Sequence, residues 1–266
     1  MLWNLLFYQL RGIKLDEKDA LKMRKKEKEN TNNFLMCERK EIFHVLTAIG
    51  GFFGAYTFMM RGNVFCNAQT GNVVLMGIAL GTGKWKEGLY YLIPIFAYML
   101  GAFVSELLPK PVKKHLPIRW DTLLIAIEMV TVVILGFIPV SAPVQISQVI
   151  INFVASMQYN TFRQAEGVAG ATTFATNHIR QIGVGLAKEL THLHKPNKKH
   201  RKGLIEHFAM LVFFISGAFI GAILCNVAKE KAIWATLVPL GTILAIFLYA
   251  DFVSERSLKG RKPAGH

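Results

Sequence analysis

The chain has 266 residues, of which 52% are hydrophobic and 18% charged, and its formal net charge is +14. The apolar residues come in runs near the length of about 20 residues that a helix needs to cross a bilayer. We therefore expect an all-α integral membrane protein, because the strands of a membrane β-barrel would be about 10 residues long with alternating polarity. The excess of Lys and Arg lies at the ends of the apolar runs, so topology explains the charge and nucleic acid is not expected as a partner.

Three parts follow one another along the chain. Residues 1–41 form a mixed-charge segment that we expect on the cytoplasmic side. A membrane domain is predicted over residues 42–252, and residues 253–266 form a basic tail, also expected in the cytoplasm. Six apolar runs in the membrane domain are predicted to cross the bilayer: 43–60, 88–108, 122–140, 144–160, 204–227 and 232–252.

Two further stretches, 64–81 and 168–186, are weaker candidates for crossing. Each opens with polar or small residues, and only about 10 residues of helical character follow. If only the six strong runs cross, 15 of the 20 Lys and Arg that follow the amino-terminal segment, with Arg180 left aside, lie on the cytoplasmic side. With eight crossings the basic stretch KPVKKHLPIR would face outwards. The charge distribution thus favours six crossing helices and two re-entrant segments.

The two halves of the membrane domain resemble each other. In the first half AQTGNVVLMGIAL precedes a span that contains LGAFVSELL, and in the second half TFATNHIRQIGVGL precedes a span that contains SGAFIGAIL. This pairs Thr70 with Thr176 and Gly101 with Gly217. Each repeat, about 42–140 and about 144–252, would hold three crossings, so the second copy is predicted to be inverted, as in many secondary transporters.

The two polar clusters that open the weak stretches predict a binding site. Non-helical backbone at membrane depth persists only inside protein or beside a water-filled cavity. The N–H groups at the start of each following half-helix carry partial positive charge, which favours an anion or a polar ligand with an acidic group. The candidate substrate-binding residues are Asn67, Gln69, Thr70, Gly71, Asn72, Thr172, Thr173, Thr176, Asn177 and Arg180. The alternative is that these side chains only hold helices together.

Two ionisable residues are candidates for proton coupling. Glu128 lies well inside an apolar run, so we expect it to be protonated or paired with Arg180 or His178. His178 follows the second cluster and is of a type that titrates near neutral pH. A structural role is open for both. No metal site or cofactor is expected, since the three Cys are widely spaced and no enzyme motif is present.

The polar clusters also carry a family resemblance. NAQTGNVVLMGIAL at 67–80, the preceding GGFFGAYTFMMRGNVF, and ATTFATN at 171–177 resemble the YoaK family of bacterial multi-pass membrane proteins, which share a domain of unknown function. The resemblance extends over about residues 43–252 and implies about six membrane helices and a place in the cell membrane. Asn177 stands where that family usually has Gly. No substrate is implied.

The sequence thus predicts a transporter or exporter of a small polar or anionic solute, and not an enzyme. The lipid bilayer and the solute are the expected partners, and a homodimer is plausible because each half holds few helices. A channel of the same fold and a non-transporting structural or sensor protein are the alternatives. For the second alternative, the polar clusters would be packed shut.

Overall fold

The structure is a computed structural model that describes residues 34–191, 198–258 and 261–263. The chain divides into two units, Met1–Leu35 and Met36–His266, and the predicted membrane domain lies in the second. Most of the predicted cytoplasmic segment 1–41 and part of the basic tail lie outside the described residues.

The second unit is built almost entirely of helices. In chain order they are α1 (Lys40–Met60), α2 (Gln69–Gly81), α3 (Trp85–Tyr90), α4 (Leu92–Leu107), α5 (Pro109–His115), α6 (Trp120–Phe137), α7 (Val144–Thr161), α8 (Thr176–Thr191), α9 (Lys198–Ala228) and α10 (Leu237–Tyr249). Short 3-10 turns cover Met36–Glu38, Lys229–Thr236 and Arg256–Leu258, and a π-helical turn covers Ala250–Ser254. A hairpin of two-residue strands, β1 (Gln164–Ala165) and β2 (Val168–Ala169), separates α7 from α8.

Four helical stretches are long and apolar enough to cross a membrane. They are Lys40–Met60, Trp85–Leu107, Trp120–Phe137 and the 55-residue stretch His200–Ser254. The predicted all-α membrane class is therefore confirmed. The last stretch includes both α9 and α10 and would be about 80 Å long if it were straight, so it has to turn back on itself.

Contacts between helix ends define two ends of the bundle, which we name the Lys40 end and the Met60 end after the limits of α1. At the Lys40 end, the His44 ring bonds to Glu206 near the start of α9. Trp120 at the start of α6 donates to Thr161 at the end of α7. Asp251, just after α10, accepts hydrogen bonds from the Arg119 N–H and the Thr122 hydroxyl.

The Met60 end joins the opposite ends of the same helices. The Tyr56 hydroxyl donates to the carbonyl oxygens of Leu135, near the end of α6, and Glu230, between α9 and α10. Gln148, near the start of α7, donates to the Arg61 carbonyl and accepts from Tyr90. Helices α1, α6, α7, α9, α10 and the pair α3–α4 therefore each extend from one end of the bundle to the other.

Residues with positive φ stand where the chain reverses. After α1 the backbone turns at Gly62 (φ 83°) and Asn63 (φ 57°), and between α9 and α10 it turns at Lys229 (φ 51°). Glu166 and Gly167, both with positive φ, form the two-residue loop of the β-hairpin, as tight hairpins require. Local backbone geometry thus separates the long helices.

Helix α6 is held at each end by an arginine. At the Lys40 end Arg119 pairs with Glu255 at 2.6 Å. At the Met60 end Arg61 is 1% exposed and donates to the Tyr56 hydroxyl and to the carbonyl oxygens of Leu135, Ile138 and Pro139. These carbonyls end α6, where the helix dipole favours a positive charge. Arg61 is therefore stabilised by a helix terminus, and no acidic side chain of the described residues pairs with it.

We expect Arg61→Met to lower the free energy of unfolding by about 3–5 kcal/mol, because it leaves buried acceptors at the end of α6 without donors. Thermal unfolding of the protein purified in detergent measures this. Lys84→Met is the matched control: the Lys84 side chain is 66% exposed, so its removal should change stability by about 0.5 kcal/mol or less. Equal stabilities of the two variants would contradict the role given to Arg61.

Candidate functional site

The two predicted half-helices, α2 and α8, are both shorter than the hydrocarbon core of a membrane is thick. Helix α2 has 13 residues and α8 has 16, which corresponds to about 20 and 24 Å against a hydrocarbon core of about 30 Å. Helix α2 begins after a loop that comes back from the Met60 end, and α8 begins after the hairpin at the Lys40 end. The two half-helices are therefore approached from opposite ends of the bundle.

The segments before α2 and α8 meet at Gly50, the central residue of α1. The Asn67 side-chain amide donates to the Gly50 carbonyl at 3.2 Å. On the same residue, a Cβ atom would collide with the carbonyl oxygen of Thr172. Gly50 lies ten residues from each end of α1, about 15 Å at 1.5 Å per residue. The two polar clusters thus come together halfway along the bundle.

The first cluster is joined to a polar face of α7. Asn72 donates to Gln69 at 2.9 Å, Gln69 donates to Asn152 at 2.6 Å, and Asn152 donates to the Gln148 carbonyl at 2.7 Å. This chain of amides satisfies the side chains that open α2. Because Gln148 also bonds to Arg61, the network continues to the Met60 end.

The second cluster is buried against α1, α7 and α9. Thr172 and Thr173 are fully buried, and the Phe174 ring packs on Tyr159 of α7 at 4.6 Å between centroids. Within the described residues, Thr172 Oγ1 of this cluster has no hydrogen-bond partner, and neither do Ser156 Oγ and Gln158 Oε1 on α7. The Gln158 amide nitrogen donates to the Leu46 carbonyl, one turn before Gly50. Unsatisfied polar atoms therefore lie around the meeting point of the clusters.

The predicted site residues fall into three groups by exposure. Asn67, Asn72, Thr172 and Thr173 are buried. Gln69 and Asn177 are half-buried, and the exposed residues are Thr70, Gly71, Thr176 and Arg180. The structure thus brings Asn67, Thr172 and Thr173 together at Gly50, joins Gln69 and Asn72 to α7, and leaves the exposed residues on the outer faces of α2 and α8.

The proton-coupling candidates lie apart from each other. Glu128 is fully buried in α6, and neither of its carboxyl oxygens has a hydrogen-bond partner among the described residues. Its expected pairing with Arg180 or His178 is therefore wrong, since Arg180 bonds to Asn177 and His178 bonds to Ala171 and His207. An ionised carboxylate without partners is strongly unfavourable in such a place, so protonation of Glu128, the other expectation, stays the prediction.

Sequence reasoning missed Arg61 and most of the α7 face. Gln148, Asn152 and Ser156 recur every four residues in the run 144–160, the spacing of one helix face. That spacing in an otherwise apolar run was the available signal. Arg61 lies in the stretch GGFFGAYTFMMRGNVF, but nothing in the sequence indicates that it donates to the carbonyl oxygens at the end of another helix.

Other clusters in the described part of the chain do not form a metal site. No group of three His, Cys, Asp or Glu side chains there could hold a metal ion. A small pocket at the Lys40 end is lined by residues that include Cys37, Glu38 and Asp121. Burial, reinforced by the negative charge of Asp121, raises the pKa of the Cys37 thiol well above its usual value, so this cysteine is an unreactive packing residue.

Comparison with protein families shows which family the chain belongs to. Residues 42–248 match the model of the family described as "Protein of unknown function (DUF1275)". The chain belongs to this family. The matched range coincides with the predicted membrane domain and is consistent with the resemblance to YoaK proteins. The comparisons with curated proteins and with solved structures give no significant match.

We expect Gly50→Ala to disturb both polar clusters, because the added methyl group collides with the Thr172 backbone and cannot be accommodated by a change of rotamer. The loss of stability should be about 1–3 kcal/mol, measured by thermal unfolding. The control Gly77→Ala in α2 meets open space and should be neutral or stabilising by about 1 kcal/mol or less. A Gly50→Ala protein as stable as this control would contradict the close approach.

Proposed function

We propose that the protein is a secondary transporter or exporter of a small polar or anionic solute, which binds where the two half-helices begin. The observation that carries this proposal is the meeting of Asn67 and Thr172 at Gly50. Interrupted helices that begin at mid-membrane are the usual substrate sites of inverted-repeat transporters. The buried Thr172 hydroxyl, which has no hydrogen-bond partner among the described residues, supplies a contact that a polar solute needs.

The proposed topology has six crossings and two re-entrant half-helices in an inverted repeat. Its support is that six elements run between the two ends of the bundle, while the segments that lead into α2 and α8 come from opposite ends and meet at Gly50. The repeat also has support from packing. Gly101 of α4 approaches the Phe153 backbone of α7, and the paired Gly217 of α9 approaches the Ala48 backbone of α1. In each repeat, the helix that carries the paired glycine thus packs against the first helix of the other repeat.

The Lys40 end is proposed to be cytoplasmic, in a cell-membrane protein. The basic stretch between α4 and α6, the residue Arg163 and the basic start of α9 all lie at this end. Lys84, Lys86, Lys229 and Lys231 lie at the opposite end. Such an excess of Lys and Arg marks the cytoplasmic side. Both termini would then be cytoplasmic, and a homodimer remains part of the proposal because each repeat holds few helices.

A second candidate function, a non-transporting structural or sensor protein, is favoured by the first cluster. Asn72 is 2% exposed and its amide bonds to Gln69, which in turn donates to Asn152 of α7, so this pair holds α2 against α7 in the conformation described. Flux measurements separate the two candidates. They are best made on residues whose removal leaves this network intact.

Arg180 meets that condition, because it is exposed and its hydrogen bond is to Asn177 on its own helix. We expect Arg180→Gln to reduce the transport of anionic solutes about tenfold or more, which corresponds to about 1.4 kcal/mol. Transport of neutral polar solutes should change less. Uptake into proteoliposomes across a solute panel, with an imposed pH gradient, measures this.

Lys188→Gln, which removes an exposed charge from the same helix, is the matched control and should keep wild-type rates. Wild-type protein that moves no solute of the panel would contradict the transport proposal. Equal anion flux in wild type and Arg180→Gln would remove Arg180 from the pathway.

A further inference from the structure

Two buried histidines face each other between α8 and α9. The Nδ1 atoms of His178 and His207 are 3.1 Å apart, and His178 Nε2 is 2.7 Å from the Ala171 carbonyl oxygen. His178 is fully buried and His207 is 5% exposed. Ala171 is followed directly by Thr172, so this pair is bonded to the segment that forms the second polar cluster.

The hydrogen bonds fix where the protons of the neutral pair lie. A carbonyl oxygen only accepts, so His178 Nε2 carries a hydrogen and His178 Nδ1 is an acceptor. His207 Nδ1 must then carry the hydrogen that is shared between the rings. The remaining nitrogen, His207 Nε2, is the basic atom of the pair.

One additional proton fits this arrangement, and two do not. A proton added at His207 Nε2 leaves the bond between the rings intact. The hydrogen on His207 Nδ1 can then pass to His178 Nδ1, which moves the positive charge to His178 and leaves His207 neutral with its hydrogen on Nε2. A second proton would set N–H against N–H and break the bond. Such a pair titrates as one unit.

Among the described residues, the groups around the pair do not complete a metal site. Glu206 and Arg180 face His207, and His44 faces His178. Glu206 is itself engaged by the His44 ring at 3.1 Å, with Lys40 and Lys202 on its other side. In the described residues no set of three ligand side chains could hold a metal ion. Proton sharing is thus the chemistry that this geometry supports.

We propose that His207 and His178 form a one-proton relay that carries a coupling proton from the Lys40 end to the start of α8. This inference rests on the proposed transport function and adds to it a residue, His207, and a route. Protonation of His178 places a positive charge beside the Thr172–Thr173 segment, where it favours binding of a solute that carries an acidic group. Release of the proton reverses this.

The test is the titration of the histidine side chains, followed by NMR on protein with 15N-labelled histidine in lipid nanodiscs. His207→Asn is the informative variant, because the amide nitrogen can still donate to His178 but does not titrate. We expect the midpoint of the His178 titration to move by about one pH unit or more in this variant. His115→Asn, at an exposed position near the end of α5, is the matched control and should leave the His178 midpoint unchanged.

An unchanged His178 midpoint in His207→Asn would overturn the relay. The same proteins in proteoliposomes give a second readout, since the pH dependence of flux should be lost in His207→Asn and kept in His115→Asn. Flux with an unaltered pH profile in His207→Asn would refute the relay and leave the transport function standing. Coupled histidine titration without any flux in the wild type would confirm the proton pair and refute the transport function.

Discussion

Backbone N–H and C=O groups that leave a helix inside a membrane need hydrogen-bond partners from protein or water. Before α2, the Gln69 and Asn72 side chains donate to the Cys66 and Phe65 carbonyl oxygens. At Gly50 the absence of a side chain lets the Thr172 backbone and the Asn67 amide reach the middle of α1. The polar face of α7 completes the arrangement through Gln148 and Asn152. The unusual polarity of NAQTGN is a consequence, because these side chains provide the partners that an interrupted helix lacks.

Helix α6 is bonded more firmly to its neighbours than α2 and α8 are. Helix α6 is bonded at both ends. Arg119 and Thr122 at its start bond to Glu255 and Asp251, and the Leu135 carbonyl oxygen near its end accepts from Arg61. By contrast, the outer faces of α2 and α8 are exposed, and Cβ atoms at Gly77 and Gly183 would meet nothing within 4 Å. In the proposed transport cycle, movement of α2 and α8 against the other helices opens the Gly50 region to one end of the bundle at a time, as alternating access requires.

The sequence predicted the elements better than it predicted their contacts. Apolar runs of membrane length gave helices close to the observed limits, as in 43–60 against Lys40–Met60, because length and polarity are local properties. The clusters at 67–72 and 171–177 were found because polar residues are conspicuous in apolar surroundings. Three features depend on which helices are neighbours. They are the carboxyl group of Glu128 without a partner among the described residues, the hydrogen bonds from Arg61 to the end of α6, and the His178–His207 pair. No local pattern contains that information.

The central claim is that α2 and α8 begin at the same depth and leave towards opposite surfaces. Nitroxide labels at Thr70, Gly81, Thr176 and Ala187, compared for collisions with oxygen and with a water-soluble nickel complex in liposomes, measure depth directly. The account predicts Thr70 and Thr176 near the bilayer centre, with Gly81 and Ala187 near opposite interfaces. A pair of labels on either helix that lies near two different interfaces, with no label at the centre, would mean that the helix crosses completely and would contradict the account.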